Sequence, residues 1–339
     1  MIVGAGIVGT YLGAITGDMK IWESKRKLEE KACSGLLSVT GLKQLKLPYK
    51  EAIVNEVKGA EIYSENYSFT VKKRSTQAFV LDRYILQKQT LQMAEDNGCR
   101  ILWNKKWDGE DDTYIIGADG ALSKVAESMG IKRRYIFAYQ IKAEYKTDSE
   151  LVKIFLSKRY APGFFAWIIP EDEKTSRIGI GVKEGNLRNA LFEFLSYKGI
   201  KIKHIKKEEA GLIPIYEDKK MVNDNKALIG DAAVQVKATT GGGIIFACKA
   251  AHILKDAINR NDLKYYETEF KSKYGRDLEM HLKIRKMLNR VDYDALLKKL
   301  IKNNVPEIIE KYGDMDHPRK LVKQILMKPA LWPLIRYVI

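Results

Sequence analysis

The sequence predicts a mixed fold of class α/β (α+β), with a Rossmann-like nucleotide-binding domain, an antiparallel β-sheet domain inserted into it and a helical end. Three observations carry this reading. At residues 1–16 a short apolar strand runs into a glycine-rich turn and a small-residue helix. Between Arg134 and Val182 alternating and continuous apolar segments have strand character, and beyond Ala251 a helical apolar period runs to the end, broken only near Pro and Gly.

The first element is the strand 1–3, in which Ile2-Val3 leads into Gly4-Ala5-Gly6-Ile7-Val8-Gly9, a G-x-G-x-x-G, and then into a helix over 7–16. Such glycines permit a tight turn, close approach of backbone to a pyrophosphate and close helix packing. Ile7 and Val8 open the helix whose N-terminus favours an anion. A strand over 19–23 ends at Glu23, followed by Ser24. An acidic residue about 20 positions after such a turn binds an adenosine ribose.

A helix over 83–97 follows, opened by Asp82-Arg83, and then a strand over 113–118. That strand delivers Gly117-Ala118-Asp119-Gly120 into a turn. Further on, Leu228 to Ala251 reads as a strand, then Gly230-Asp231-Ala232, a polar loop, Gly241-Gly242-Gly243 and a small-residue helix from Ile244. An Asp at a strand end can hold a sugar-chain hydroxyl, while bare glycine backbone lets a helix N-terminus approach an anion. The same helix end would stabilise the negative charge of a reduced flavin.

In this order, G-x-G-x-x-G, GADG and GD, the three loops resemble the flavin enzymes of the p-hydroxybenzoate hydroxylase-like fold. The segment Tyr160 to Pro170, YAPGFFAWIIP, narrows the resemblance to the geranylgeranyl reductase family, whose PxxYxWxFP motif it matches at Pro162, Trp167 and Pro170. Phe165 stands at the motif's Tyr and Ile169 at its Phe. Cys33-Ser34-Gly35 resembles the family's cysteine loop beside the flavin, Asp82-Arg83 its DR pair, and Lys311 to Pro318 its C-terminal GD...P segment.

The resemblance implies bound FAD, with Pro162, Phe165, Trp167 and Pro170 lining a pocket for an isoprenoid lipid. It also implies a reductase that saturates C=C bonds of geranylgeranyl chains in membrane lipids or their precursors. Hydride delivery to an isolated alkene requires an acid, and Cys33 and Tyr160 are the candidates, with ordered water a third. Two alternatives share these features: an FAD-dependent monooxygenase of the same fold, and a non-catalytic lipid- or flavin-binding relative. The short interval from Gly98 to Gly117 leaves little room for the small β-meander usual in this flavin-binding domain.

The sheet domain is expected from strands over 136–145, 152–156, 164–169, 176–182 and 209–215, with a helix over 187–197. The domain plan is therefore a discontinuous FAD-binding domain at 1–133 and 220–258, a substrate domain at 134–219 and a helical region at 259–339. Helices are expected at 263–288, 293–302, 305–312 and 319–326. The last residues, with Leu331, Trp332, Leu334, Ile335, Tyr337, Val338 and Ile339, suit either a membrane surface or a terminal helix packed on its own protein.

Composition sets the outer bounds. The 339 residues carry 59 Lys and Arg against 43 Asp and Glu, a net charge of +16, which attracts phosphates, anionic lipid surfaces or an acidic electron carrier. Basic and acidic residues intermix along helices and no nucleic-acid-binding motif is present, so no nucleic acid partner is expected. The electron donor is expected to be external, a reduced nicotinamide or a ferredoxin-like protein. Three separated cysteines and four scattered histidines suggest neither disulfides nor a metal site. With no long apolar run and no leader-like start, a cytoplasmic protein in peripheral contact with the inner face of the membrane is expected.

Overall fold

The computed structural model describes residues 1–110 and 112–335. A six-stranded sheet has the order Val222–Asn223, Lys226–Leu228, Ile115–Gly117, Ile2–Val3, Lys20–Glu23, Arg100–Trp103. All are parallel except the edge strand Val222–Asn223. Its inner strands, with Ile2, Ile21, Ile115, Ile116 and Leu228 fully buried, are apolar on both faces, as a covered parallel sheet requires. The first helix, Ile7–Thr16, packs between the helices Arg83–Asp96 and Ile244–Asn259. Among the described residues no strand interrupts 104–114, so the expected loss of the meander is observed.

The second sheet has seven strands in the order Ile205–Pro214, Tyr135–Glu144, Thr175–Val182, Ala166–Pro170, Leu151–Phe155, Gly59–Tyr63, Ser68–Lys72. Its side chains sort by the two-residue period of a strand. Tyr139, Ile141, Ile168, Ile178 and Ile180 face the helix Leu187–Tyr197 through Leu191, Phe194 and Leu195. Ile136, Phe165, Trp167 and Ile169 sit on the other face, against Tyr293, Leu296 and Leu297 of the helix Tyr293–Lys302. Register aligns Gln140, Gly179 and Trp167 in one row, and Lys142, Arg177 and Ile169 in the next on the same face.

The strands Gly59–Tyr63 and Ser68–Lys72 precede residue 134, so a boundary there does not enclose this sheet. Their pairing with Leu151–Phe155 is a long-range event that no local period announces. A third, small sheet joins Leu36–Ser38, Ala78–Leu81 and Ile53–Val57.

The expected helix at 263–288 forms as Leu263–Phe270, a π-helical turn Lys271–Gly275 and Arg276–Arg290. Asp262 and Asp292 cap their helices by accepting backbone N–H bonds. Tyr293–Lys302, Val305–Tyr312 and Arg319–Leu326 follow. Leu331 is buried, and Tyr337, Val338 and Ile339 of the expected apolar tail lie outside the described residues. Among the described residues no helix is long and apolar enough to cross a membrane.

Candidate functional site

The three glycine-bearing turns meet at the N-terminus of the first helix. Gly4 has φ +104°, and a side chain there would begin 2.6 Å from the Ala118 carbonyl oxygen. A side chain at Gly9 would begin 2.0 Å from the Gly4 oxygen, and one at Gly230 3.4 Å from Val8 Cγ2. These contacts lock G-x-G-x-x-G, GADG and GD into one cradle. At Gly6 the space is open, the nearest group being Lys31 Nζ at 3.9 Å, and at Gly120 nothing lies within 4 Å.

Polar groups point into this cradle. Glu23 is buried, its Oε2 accepting the Ala5 N–H at 2.9 Å and its Oε1 accepting from the Lys25 N–H and the Ser24 hydroxyl. Asp119 Oδ2 accepts the Lys124 N–H at 2.7 Å, but its buried Oδ1 has no partner. Burial pushes the Asp231 carboxyl above its ordinary range, opposed by the charges of Arg83 and Lys31. Burial also lowers Lys31, helped by Arg83 and opposed by Glu23 and Asp231. An open glycine turn, an orphaned carboxylate oxygen and a carboxyl facing two cations fit the pyrophosphate and hydroxyls of a dinucleotide such as FAD.

The loop after Asp231 is strained and braced. Val234, a buried β-branched residue, has φ 50° and ψ 31°. Gln235 holds the turn, accepting the Gly230 N–H at 2.8 Å while donating to the Tyr266 hydroxyl, which donates in turn to the Leu228 carbonyl. Ala232 is fully buried beneath it. The Lys237 N–H then bonds the Gly242 carbonyl, and Gly241, at φ +76°, brings the backbone against Ile213 and Phe164 ahead of Ile244. A side chain at Gly243 would begin 3.2 Å from Asp231 Oδ1. Gln235 and Tyr266 carry no motif, and sequence reasoning missed them.

The cysteine loop is clamped from the second sheet. Cys33 Sγ accepts the Gly35 N–H, and the Ser34 hydroxyl accepts the Leu36 N–H. Gln140 Nε2 donates to the Cys33 carbonyl at 2.9 Å. Buried Arg177 donates through Nη1 to the carbonyls of Cys33, Ser34 and Leu81, and through Nε to Glu171, which Lys142 also pairs. A side chain at Gly35, φ +70°, would begin 2.2 Å from that Nη1. Only pairing of the strands places Gln140 and Arg177 beneath Cys33, so their roles had no sequence signal.

The aromatic segment divides between the two faces. Phe165 and Trp167 lie on the face carrying Gln140 and Arg177, Phe165 stacking on Phe164 at 4.2 Å. Phe164 Cζ lies 3.4 Å from where a Gly241 side chain would start, so the turn leading into the motif strand reaches the glycine run. Trp167 Nε1 and Gln140 Oε1 are buried without partners.

Three of the expected site residues fall elsewhere. Tyr160 lies in the core on the opposite face, packed against Phe194 and Tyr197 with Arg159 over its ring, because the turn before the strand directs it there. Pro162 is exposed in that turn, its carbonyl accepting the Lys183 N–H, and Pro170 ends the strand with its carbonyl accepting from Asn55. Both prolines shape the strand rather than line a pocket.

Behind the glycine loop the C-terminal segment docks through buried charge. Lys237 Nζ contacts Asp316 Oδ1 at 2.6 Å, and Ser38 donates to Asp316 Oδ2. His281 Nδ1 accepts from Thr239 at 2.6 Å and its Nε2 donates to the Asp316 carbonyl. Asp277 pairs with His317 and Arg319. Among the described residues no group of three His, Cys, Asp or Glu gathers as a metal site.

Comparison with known proteins places this arrangement. Residues 135–213 match the family model of the geranylgeranyl reductase catalytic domain. An uncharacterized protein of Methanocaldococcus jannaschii is 29% identical, covering 96% of this chain and 94% of its own. A digeranylgeranylglycerophospholipid reductase of the same organism is 27% identical over 98% of this chain and 95% of its own. Among solved structures, a geranylgeranyl bacteriochlorophyll reductase-like protein from Thermoplasma acidophilum superposes with TM-score 0.84 at 21% identity, covering 99% of this chain and 98% of that one. PqsL of Pseudomonas aeruginosa, described as a probable FAD-dependent monooxygenase, gives 0.67 at 15% identity, covering 89% and 98%. At these identities the two structures establish the fold.

Proposed function

We propose that this chain is an FAD-dependent oxidoreductase of the geranylgeranyl reductase type, which saturates carbon–carbon double bonds in the isoprenoid chains of membrane lipids or their precursors. The observation that carries this reading is the meeting of Phe164, on which Phe165 stacks, with the glycine run at Gly241, an apolar wall set against the cofactor cradle.

The division of labour follows from the geometry. Gly4, Gly6 and Gly9 with the GADG turn would take the pyrophosphate, Glu23 the adenosine ribose and Asp231 a ribityl hydroxyl. Gly241 to Gly243 present backbone at the start of the helix Ile244–Asn259, where the helix dipole favours negative charge. FAD, when bound, supplies the hydride. Phe164, Phe165 and Trp167 exclude water from the reacting alkene. Cys33 Sγ is the group of this chain that would hold the proton for the second alkene carbon, its loop kept in place by Gln140 and Arg177.

Reducing equivalents would come from an external donor, a reduced nicotinamide or a ferredoxin-like protein. The C-terminal helix Arg319–Leu326 has no buried residue, Met327 is 70% and Trp332 61% exposed, and Arg319, Lys320 and Lys323 flank them. That combination supports peripheral contact with an anionic membrane surface.

The deciding experiment incubates the purified, flavin-loaded protein with a geranylgeranyl glycerophospholipid and dithionite without oxygen. Products gaining two hydrogens per double bond are expected by mass spectrometry. A reduced flavin that ignores the lipid but turns over with oxygen to give hydroxylated product would overturn the reading in favour of a monooxygenase.

A further inference from the structure

Arg285 lies in the middle of the helix Arg276–Arg290 and is 5% exposed. Its Nε donates to the Ala238 carbonyl at 2.9 Å and its Nη2 to the Thr239 carbonyl at 2.6 Å, pinning the stretch that leads into Gly241. Its Cζ lies 4.5 Å from the Phe164 ring centre and 5.6 Å from that of Phe165. Among the described residues no carboxylate pairs with it, and its buried Nη1 has no hydrogen-bond partner.

A buried guanidinium without a counter-charge is costly, and its position is informative. Phe164, over which it sits, also touches the Gly241 position. One cation thus backs both the aromatic wall and the glycine loop that leads into the helix Ile244–Asn259. A helix N-terminus alone would favour an anion weakly; a fixed unit charge in a low-dielectric setting adds a much larger field. Burial lowers Arg285 to about 10, which leaves it charged at neutral pH.

We infer that Arg285 is a positioning residue that holds the glycine loop and places the positive charge that stabilises the reduced flavin, so that it sets the cofactor's midpoint potential. This rests on the flavin-dependent reading above. Bound FAD would take two electrons and one proton from the external donor and pass them on as a hydride to one alkene carbon, while a proton from the protein goes to the other, so that the cycle balances. Only the reduced form carries the extra negative charge on the ring, so a nearby fixed cation favours reduction and raises the potential. A guanidinium serving only as a cation–π prop for Phe164 would alter stability without moving the potential.

The test measures the two-electron midpoint potential and the affinity for sulfite, whose flavin adduct is likewise anionic, in the flavin-loaded protein and in Arg285→Lys, Arg285→Gln and Arg285→Met. Removing the charge with Gln or Met is expected to weaken sulfite binding at least tenfold and to make the potential more negative. A tenfold change in the two-electron equilibrium corresponds to 29.6 mV. Lys is expected to keep sulfite affinity within about threefold of the parent, the charge being retained. Flavin-loaded Gln or Met variants with potential and sulfite affinity unchanged within twofold overturn the inference. A measurement on the unaltered protein guards against variants that fail to fold: nitrogen-15 NMR of bound, reduced FAD should show N1 deprotonated at pH 7, and a protonated N1 overturns the inference. An unaltered protein that takes up no FAD fails earlier, at its absorption spectrum, and removes the flavin reading itself.

Discussion

Lys237 and Asp316, 79 positions apart, form a buried ion pair at 2.6 Å that ties the loop after the GD turn to the C-terminal segment. Burial alone would raise the Asp316 carboxyl, but Lys237, with a hydrogen bond from Ser38, holds it below its ordinary range. Removing one partner strands the other charge. Lys237→Met and Asp316→Asn are each expected to cost about 3–5 kcal/mol in urea unfolding and to weaken FAD binding, whereas the paired change Lys237→Met with Asp316→Leu should recover much of the loss. Equal stability in single and paired variants would refute this.

Acid should loosen the same junction. Burial lowers His281 from 6.5 to about 4, with Lys237 adding to the shift. The folded state keeps the ring neutral between Thr239 and the Asp316 carbonyl, while the unfolded chain protonates it near pH 6.5. The stability it contributes is therefore full above pH 6.5 and is lost as pH falls to about 4, by about 3 kcal/mol. His281→Gln is expected to flatten the stability slope in that window, as followed by denaturant titrations at several pH values.

Two glycines of the first turn should separate folding from cofactor binding. A Gly9→Ala side chain would begin 2.0 Å from the Gly4 oxygen and is expected to abolish soluble, folded protein. Gly6→Ala meets only Lys31 Nζ at 3.9 Å, so the apo fold should hold within about 1 kcal/mol while FAD binding is lost. Circular dichroism and flavin absorbance distinguish the two results.

The two proton-donor candidates also part company. Cys33 sits on a loop clamped by Gln140 and Arg177, whereas Tyr160 faces Phe194 across the sheet. Cys33→Ala is expected to lower turnover by at least about tenfold with flavin retained, and Tyr160→Phe to leave turnover unchanged. Full activity in flavin-loaded Cys33→Ala would remove the thiol from the scheme.

Local chemistry made much of this protein legible from its residues alone. Gly4, Gly9, Asp119 and Asp231 could be read because a tight turn, a close approach or a strand-end carboxylate demands those residue types at those positions. The helices from Leu187 to Leu326 could be read because their apolar period is intact. What only the tertiary structure decided was which distant groups share a space. Pairing of Tyr135–Glu144 with Thr175–Val182 brings Gln140 and Arg177 under the cysteine loop, and packing puts Phe165 with Trp167 on that same side. The preceding turn sends Tyr160 to the other. Arg285, Gln235 and Tyr266 belong to no motif, since a buried polar group is fixed by the partners that packing brings to it, and those partners are far away in sequence.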